Sequence, residues 1–167
     1  MMDELFVVNA ELLQNLYSEG LPALRNVRLR SVNLNWRGPA VTLRVDLSEF
    51  PDMPPEAWRA AGLDTVQCQI QFLAVEQIRL QGWNPSADVR IDVARLDEGR
   101  KVHLDVIGNG MHMEFTSSST VLIGHISAYA RGLDGSDGGR HYFLRRIDSI
   151  RHSSVPDTSE KTFYGRL

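Results

Sequence analysis

Apolar and polar residues alternate along most of the chain between about Asn26 and Tyr129. Val41, Leu43, Val45 and Leu47 interleave with Thr42, Arg44, Asp46 and Ser48, and Val66, Cys68, Ile70 and Phe72 with Gln67, Gln69 and Gln71. Farther on, Val102, Leu104 and Val106 interleave with Lys101, His103 and Asp105, and Met111, Met113 and Phe115 with His112, Glu114 and Thr116. Successive side chains of an extended strand point to opposite faces. Period two therefore marks strands with one face in a core and one in water. The pattern predicts strands near 40–48, 64–72, 75–81, 87–94, 101–107 and 111–116, with Gly108-Asn109-Gly110 turning the last hairpin. From Asn26 to Trp36 the apolar phase slips, odd at Val27 and Leu29 and even at Val32, Leu34 and Trp36. One extra residue near Arg30-Ser31, a β-bulge, accounts for this. Trp36 falls on the apolar phase and reads as core.

Outside these runs the period changes. Asn9 is placed to cap a helix through about Ser18, with Leu12, Leu13, Leu16 and Tyr17 on one face and Gly20 as the stop. Pro51, Pro54 and Pro55 forbid a strand, and Pro55 suits the first turn of a short helix through Ala61, on which Trp58 packs toward the sheet. Residues 120–130 fit strand or helix; the β-branched Val121 and Ile123 favour strand. Gly132–Gly139 is linker-like, Tyr142–Ile150 fits a final strand or a short helix, and the chain from Ser153 reads as loosely ordered. The predicted fold is α+β: a mostly antiparallel meander sheet of about seven to eight strands, an N-terminal helix and a short mid-chain helix. Residues 1–131 form one domain, and 132–167 a linker and C-terminal extension.

Composition adds bounds. The chain has 167 residues, 43% of them hydrophobic and 23% charged, enough for a packed core. Residues 1–132 carry 12 Lys/Arg against 16 Asp/Glu, so the main body is acidic and argues against nucleic acid as a partner. No run approaches the roughly 18–20 apolar residues of a membrane span. The N-terminus, Met1-Met2-Asp3-Glu4, carries acid where a signal peptide carries base. The single cysteine, Cys68, lies on an apolar phase and reads as a buried thiol in a reducing compartment. These features together imply a cytoplasmic protein.

One constellation has the residue types for chemistry. His103, Asp105, His112 and Glu114 share the polar phase of two strands joined by one turn. A turn centred on Gly108-Asn109 pairs Asp105 with His112 and His103 with Glu114, contacts worth roughly 0.2–1 kcal/mol each. A turn centred on Asn109-Gly110, the stronger turn signal alone, sets Asp105 against Glu114. Charge complementarity favours the first register. The four side chains suit a divalent metal or a solvated face of complementary pairs, and the second is what alternation predicts. No Gly-x-Ser-x-Gly or phosphate loop is present. His125, His141 and His152 lack ligand-like spacing. Trp83, in a turn with Gly82 and Asn84, is either a lid on the core edge or an exposed anchor for a partner. Arg44 and Asp46 join it and the hairpin residues as candidates for partner contact.

Several segments taken together resemble a known family. They are Leu21-Pro22-Ala23-Leu24-Arg25-Asn26-Val27-Arg28-Leu29, Leu43-Arg44-Val45-Asp46-Leu47, Pro54-Pro55-Glu56-Ala57-Trp58, Thr65-Val66-Gln67-Cys68-Gln69-Ile70 and Ile126-Ser127-Ala128-Tyr129. The chain resembles the immunity protein 50 family of bacterial polymorphic toxin systems over about residues 5–131, the Pro-Pro-x-x-Trp segment being the most distinctive piece. The resemblance implies a cytoplasmic, non-catalytic protein that binds and neutralises a cognate toxin domain, with no cofactor. It carries over no catalytic residue. Two other readings compete: a metal-binding module or metal-dependent enzyme built on His103, Asp105, His112 and Glu114, and a structural or assembly protein whose segment 140–151 docks on a second subunit. Weak homodimerisation through an open sheet edge fits any of them.

Overall fold

In a computed structural model of the chain, residues 4–84, 87–97, 99–151, 154, 156 and 158 are described. The alternating runs become eight strands: β2 (Val27–Asn35), β3 (Ala40–Asp46), β4 (Thr65–Leu73), β5 (Glu76–Gln81), β6 (Asp88–Arg95), β7 (Lys101–Gly108), β8 (Met111–Ser118) and β9 (Thr120–Tyr129). Two further strands, β1 (Phe6–Val7) and β10 (Tyr142–Phe143), are two residues long, too short for periodicity to reveal. Three short helices complete the described elements: α1 (Glu11–Gln14), α2 (Glu56–Ala60) and α3 (Arg146–Arg151). The bulge in β2 falls between Leu29 and Ser31, as the phase slip predicts. Residues 120–130 are strand, and the region 142–150 holds both a strand and a helix.

The strands form one sheet in the order β1-β9-β4-β3-β2-β6-β7-β8-β5, with β10 also on β9. All ladders are antiparallel except β1 on β9, so the sheet is mixed. The meander holds for β2-β3-β4 and β6-β7-β8. It fails where β9 returns beside β4, where β6 joins β2 and where β5 lands on the far side of β8. The path has two ends, so the sheet is open. It also folds over. β4 continues into β5 through Ala74, whose φ of +52 turns the strand. β8 runs into β9 across Ser119. Phe72 of β4 meets Phe115 of β8 edge-on, ring centres 5.3 Å apart. One core fills the fold, with Leu43, Ile70, Phe72, Val102, Leu104, Val106, Phe115 and Val121 all at most 1% exposed.

The first helix is shorter than its apolar spacing suggests. Asn9 does not cap it. Its amide donates to the carbonyl of Ile123 and accepts from that residue's N–H at 3.1 Å, tying the N-terminal segment to β9. Leu13, Leu16 and Tyr17 are nevertheless buried, and the Tyr17 hydroxyl donates to the Glu49 carbonyl at 2.9 Å. Trp58 is 2% exposed and joins the core from α2. Trp36 corrects the reading as core. It is 81% exposed, because the ladder between β2 and β6 covers only Val27 and Arg28 and the end of the β2–β3 hairpin runs past the second layer. Among the described residues no helix is long and apolar enough to cross a membrane.

Candidate functional site

The polar phases of the two halves of the sheet have different fates. On β6, β7, β8 and β5 the polar face is open. Asp92, Asp105 and Glu114 stand in one register row across β6, β7 and β8, and Arg79 of β5 ends the row. The hairpin turns on Asn109-Gly110, with Gly108 opposite Met111 and Gly110 at φ +74. Asp105 therefore faces Glu114, and the register favoured by charge pairing is corrected. Turn chemistry wins because neighbouring cations and histidines relieve the repulsion. His112 Nε2 lies 2.9 Å from Asp105 Oδ1 and His103 Nε2 lies 3.4 Å from Asp105 Oδ2. His103 Nε2 is 3.9 Å from Glu114 Oε2, and Arg79 donates to Glu114 Oε1 at 3.1 Å. All four hairpin side chains keep a quarter to two-fifths of their surface in water. Ligand atoms of His103, Asp105 and Glu114 lie within 4.8 Å of one another, a spacing that a divalent cation accepts.

Trp83 borders this face. It is 49% exposed and follows Gln81, which pairs with His112. Gly82 is required there: at φ +67 a Cβ would sit 2.1 Å from the Gly110 carbonyl oxygen. Asn84 donates to the Asn109 carbonyl at 3.0 Å, fixing this loop against the hairpin turn.

On β2, β3, β4 and β9 the polar phase is covered. Thr42, Asp46, Gln67, Gln69, Ser127 and Tyr129 are all at most 3% exposed, and Gly135, Asp137, His141 and Pro156 meet the polar groups of this face. Asp46 is the centre. Arg30, brought inward at the bulge, donates to Asp46 Oδ2 through Nε at 2.8 Å, and its Nη2 lies 2.7 Å from the same oxygen. The Tyr129 hydroxyl accepts from Arg30 Nη2 at 2.9 Å and donates to Asp46 Oδ2 at 2.8 Å. Gln67 Nε2 donates to Asp46 Oδ1 and to Asp137 Oδ2, both at 2.9 Å. Arg44 Nη1 is 3.6 Å from Asp137 Oδ2. Of the two strand-borne candidates for partner contact, Asp46 is thus 1% exposed and Arg44 is paired with the covering segment.

Burial sets the proton states here. Burial first, then the charge of Asp46, push the Tyr129 hydroxyl up to about 12, so it stays a donor. The same causes push the Cys68 thiol up to about 12, and the buried thiol is inert. Burial is the largest influence on the Arg30 guanidinium and works against its charge, but its hydrogen bond to Asp46 and the charges of Asp46, Tyr129 and Asp137 together hold Arg30 above its ordinary value. Burial also opposes the Asp137 carboxylate, yet Gln67 and then Arg44 hold it below the usual range. His141 is lowered by burial. It stacks on Tyr129 with ring centres 4.6 Å apart. Its Nδ1 lies 2.9 Å from Ser127 Oγ and its Nε2 lies 2.9 Å from the Asp137 carbonyl. A neutral ring with the proton on Nε2 satisfies both. His125 Nδ1 sits 3.2 Å from Asp148 Oδ1, both side chains at most 1% exposed. His152 lies outside the described residues.

Arg30, Tyr129, His125, Ser127 and His141 were not singled out by spacing. A signal for His125 exists in the sequence. Val121 and Ile123 are odd and Ile126 and Ala128 even, the same slip that marks the bulge in β2, and β9 carries one extra residue there with His125 at φ +48.

Fold and faces define a mostly-sheet protein that, among the described residues, displays polar side chains on an open ten-stranded mixed sheet with three short helices. The chain belongs to the immunity protein 50 family, whose model matches residues 9–129. The family name indicates an immunity protein, implies a toxin as partner in general terms and suggests a non-enzyme. No curated protein and no solved structure matches the chain.

Proposed function

We propose that this chain neutralises a cognate bacterial toxin domain by binding it in the cytoplasm, without catalysis, through the open face. The observation that carries the choice of face is the row Asp92, Asp105 and Glu114, three carboxylates side by side on adjacent strands. Strands about 4.8 Å apart fix that spacing without further ordering cost. With Arg90 against Asp92 and Arg79 against Glu114, the row presents a fixed pattern of alternating charge, which sets a partner's specificity more than raw affinity. Trp83 and Ile107, 49% and 39% exposed, supply apolar surface beside it. The partner is the toxin of a polymorphic toxin system. Co-expression with the toxin encoded beside this gene, and titration of the purified pair, test the reading. Protection and a measurable complex are expected, weakened at least about tenfold by Asp105→Ala with Glu114→Ala. Absence of binding and protection would overturn the reading, and full protection by the double variant would move the interface elsewhere.

A second reading rests on the 4.8 Å cluster of His103, Asp105 and Glu114. It predicts stoichiometric divalent metal in protein purified without chelator, lost on His103→Ala plus His112→Ala. A metal-free elemental analysis would remove it.

A further inference from the structure

The covered face is built like a binding site with something already in it. Its sheet side carries the cations Arg30 and Arg44, and just past β9 Arg131 joins Arg30 against a single buried carboxylate, Asp46. The stretch Gly132–Gly139, expected as a linker, holds Asp134 and Asp137 and no basic residue. Asp137 places its carboxylate between Gln67 and Arg44, and Gly135 offers its carbonyl to Arg30 Nη2 at 2.8 Å. Gly135 is fitted there: it sits at φ +79, and a Cβ would meet Arg28 Nη1 at 2.7 Å. The segment then joins the outer edge of β9 as a strand. Tyr142 pairs with Ala128 and Phe143 with Ser127, and the Leu144 N–H donates to the Ile126 carbonyl at 2.8 Å. These are the two components of recognition by strand addition: main-chain bonds along an edge, and side chains seated beside it. The fit is incomplete. Gln67 Oε1 and Arg44 Nε are buried with no hydrogen-bond partner among the described residues. The family match ends at residue 129, so the whole covering segment lies beyond it.

We propose that the face formed by β2, β3, β4 and β9 is a binding surface for an extended segment that presents one anchoring carboxylate, and that residues 132–143 are its resident, exchangeable occupant, anchored by Asp137. This holds whether or not the open face binds a toxin. The tether keeps the resident segment at an effective concentration of roughly millimolar, which excludes a free segment of equal affinity until the anchor is weakened.

The test uses the full-length chain, its Asp137→Ala and Asp137→Asn variants, and a fluorescent synthetic peptide of residues 132–144. Hydrogen exchange at residues 126–128 and 142–144 is expected to quicken on the order of tenfold to a hundredfold in Asp137→Ala, while the β7–β8 hairpin is unchanged. That variant is expected to bind the peptide at least about tenfold more tightly than the unaltered chain does. A peptide carrying Asp137→Ala is expected to bind it at least about tenfold more weakly than the native peptide. Asp137→Asn keeps an oxygen for Gln67 and removes only the charge facing Arg44, so it gives a smaller change in the same direction even if the alanine variant fails to fold. Unchanged exchange in both variants, equal quickening in the β7–β8 hairpin, or an opened chain that binds no peptide would each overturn the proposal.

Discussion

The two polar faces are made from the same kind of sequence and end in opposite environments. Thr42-x-Arg44-x-Asp46 on β3 and His103-x-Asp105 on β7 both alternate with fully buried aliphatics. Yet Asp46 is 1% exposed under a segment that follows β9, while Asp105 keeps a third of its side chain in water. Alternation reports which phase is polar. It does not report whether water or another stretch of chain meets that phase. The composition of the faces does differ: around Asp46 and its arginines the covered one is rich in Gln, Ser and Thr, which keep their hydrogen-bonding groups neutral when buried, and the open one in carboxylates and histidine.

The largest expected consequence lies at the centre of each face. Asp46→Ala strands the Arg30 guanidinium in a buried site and is expected to cost about 3–5 kcal/mol. Asp105→Ala, on the open face, is expected to cost under about 1 kcal/mol, since half-exposed pairs are screened and flanking histidines remain. Urea unfolding of both variants measures the difference. Equal costs would break the distinction between the faces. Tyr129→Phe is a finer probe, deleting only the hydroxyl that accepts from Arg30 and donates to Asp46. About 1–3 kcal/mol is expected, with no change in the β7–β8 hairpin.

Much of this was legible. The eight long strands, the bulge at Arg30 and the core positions of β3, β4, β7 and β8 follow from period and phase. What period could not reveal has particular causes. The strand at Tyr142 is set by the free edge of β9, not by its own two residues. The hairpin register was decided by turn chemistry at Gly110, because His112 on the diagonal, His103 along the same strand and Arg79 directly opposite Glu114 relieve a repulsion that counting the Asp105–Glu114 pair alone overstates. Asp46 carries no local sign of burial. Its partners are contributed from Arg30, Gln67 and Tyr129, which lie 16, 21 and 83 positions away. The candidate site split accordingly: His103, Asp105, His112 and Glu114 come together on the open face, and Arg44 and Asp46 belong to the covered one.

Acid should separate the faces with a smaller effect. His141 is lowered from its ordinary 6.5 by burial, so the folded state favours the neutral ring. The stability this confers is present above that ordinary value and lost as pH falls below it toward the lowered one, because the unfolded chain then binds the extra proton. Asp137, held below its ordinary 3.8, adds a loss of the same sign at still lower pH. Thermal unfolding from pH 7.5 to 5 is expected to show falling stability that His141→Gln flattens. A slope unchanged in that variant would place the proton uptake elsewhere.

The smallest expected effect is at Trp36, which lies beyond both faces. Its phase assigns it to the core side of β2, where Leu34, 57% exposed, also points past the second layer. The Arg37 guanidinium stands 5.0 Å over the ring, a contact worth about 0.5–1 kcal/mol at an exposed site. Trp36→Ser removes that contact and little burial, so a change of about 1 kcal/mol or less is expected in the folding of the isolated chain. A cost above about 2 kcal/mol would mean that the hairpin end is covered in solution. The edge of β2 beyond Leu29 has no ladder partner on that side among the described residues, and a second copy pairing there would bury Leu34 and Trp36 together. Solution mass, measured over a range of concentrations for the unaltered chain and Trp36→Ser, decides between the two. A monomer at every concentration with a near-neutral variant leaves the hairpin end as exposed surface. A dimer lost on substitution would add a third, apolar face to the two polar ones.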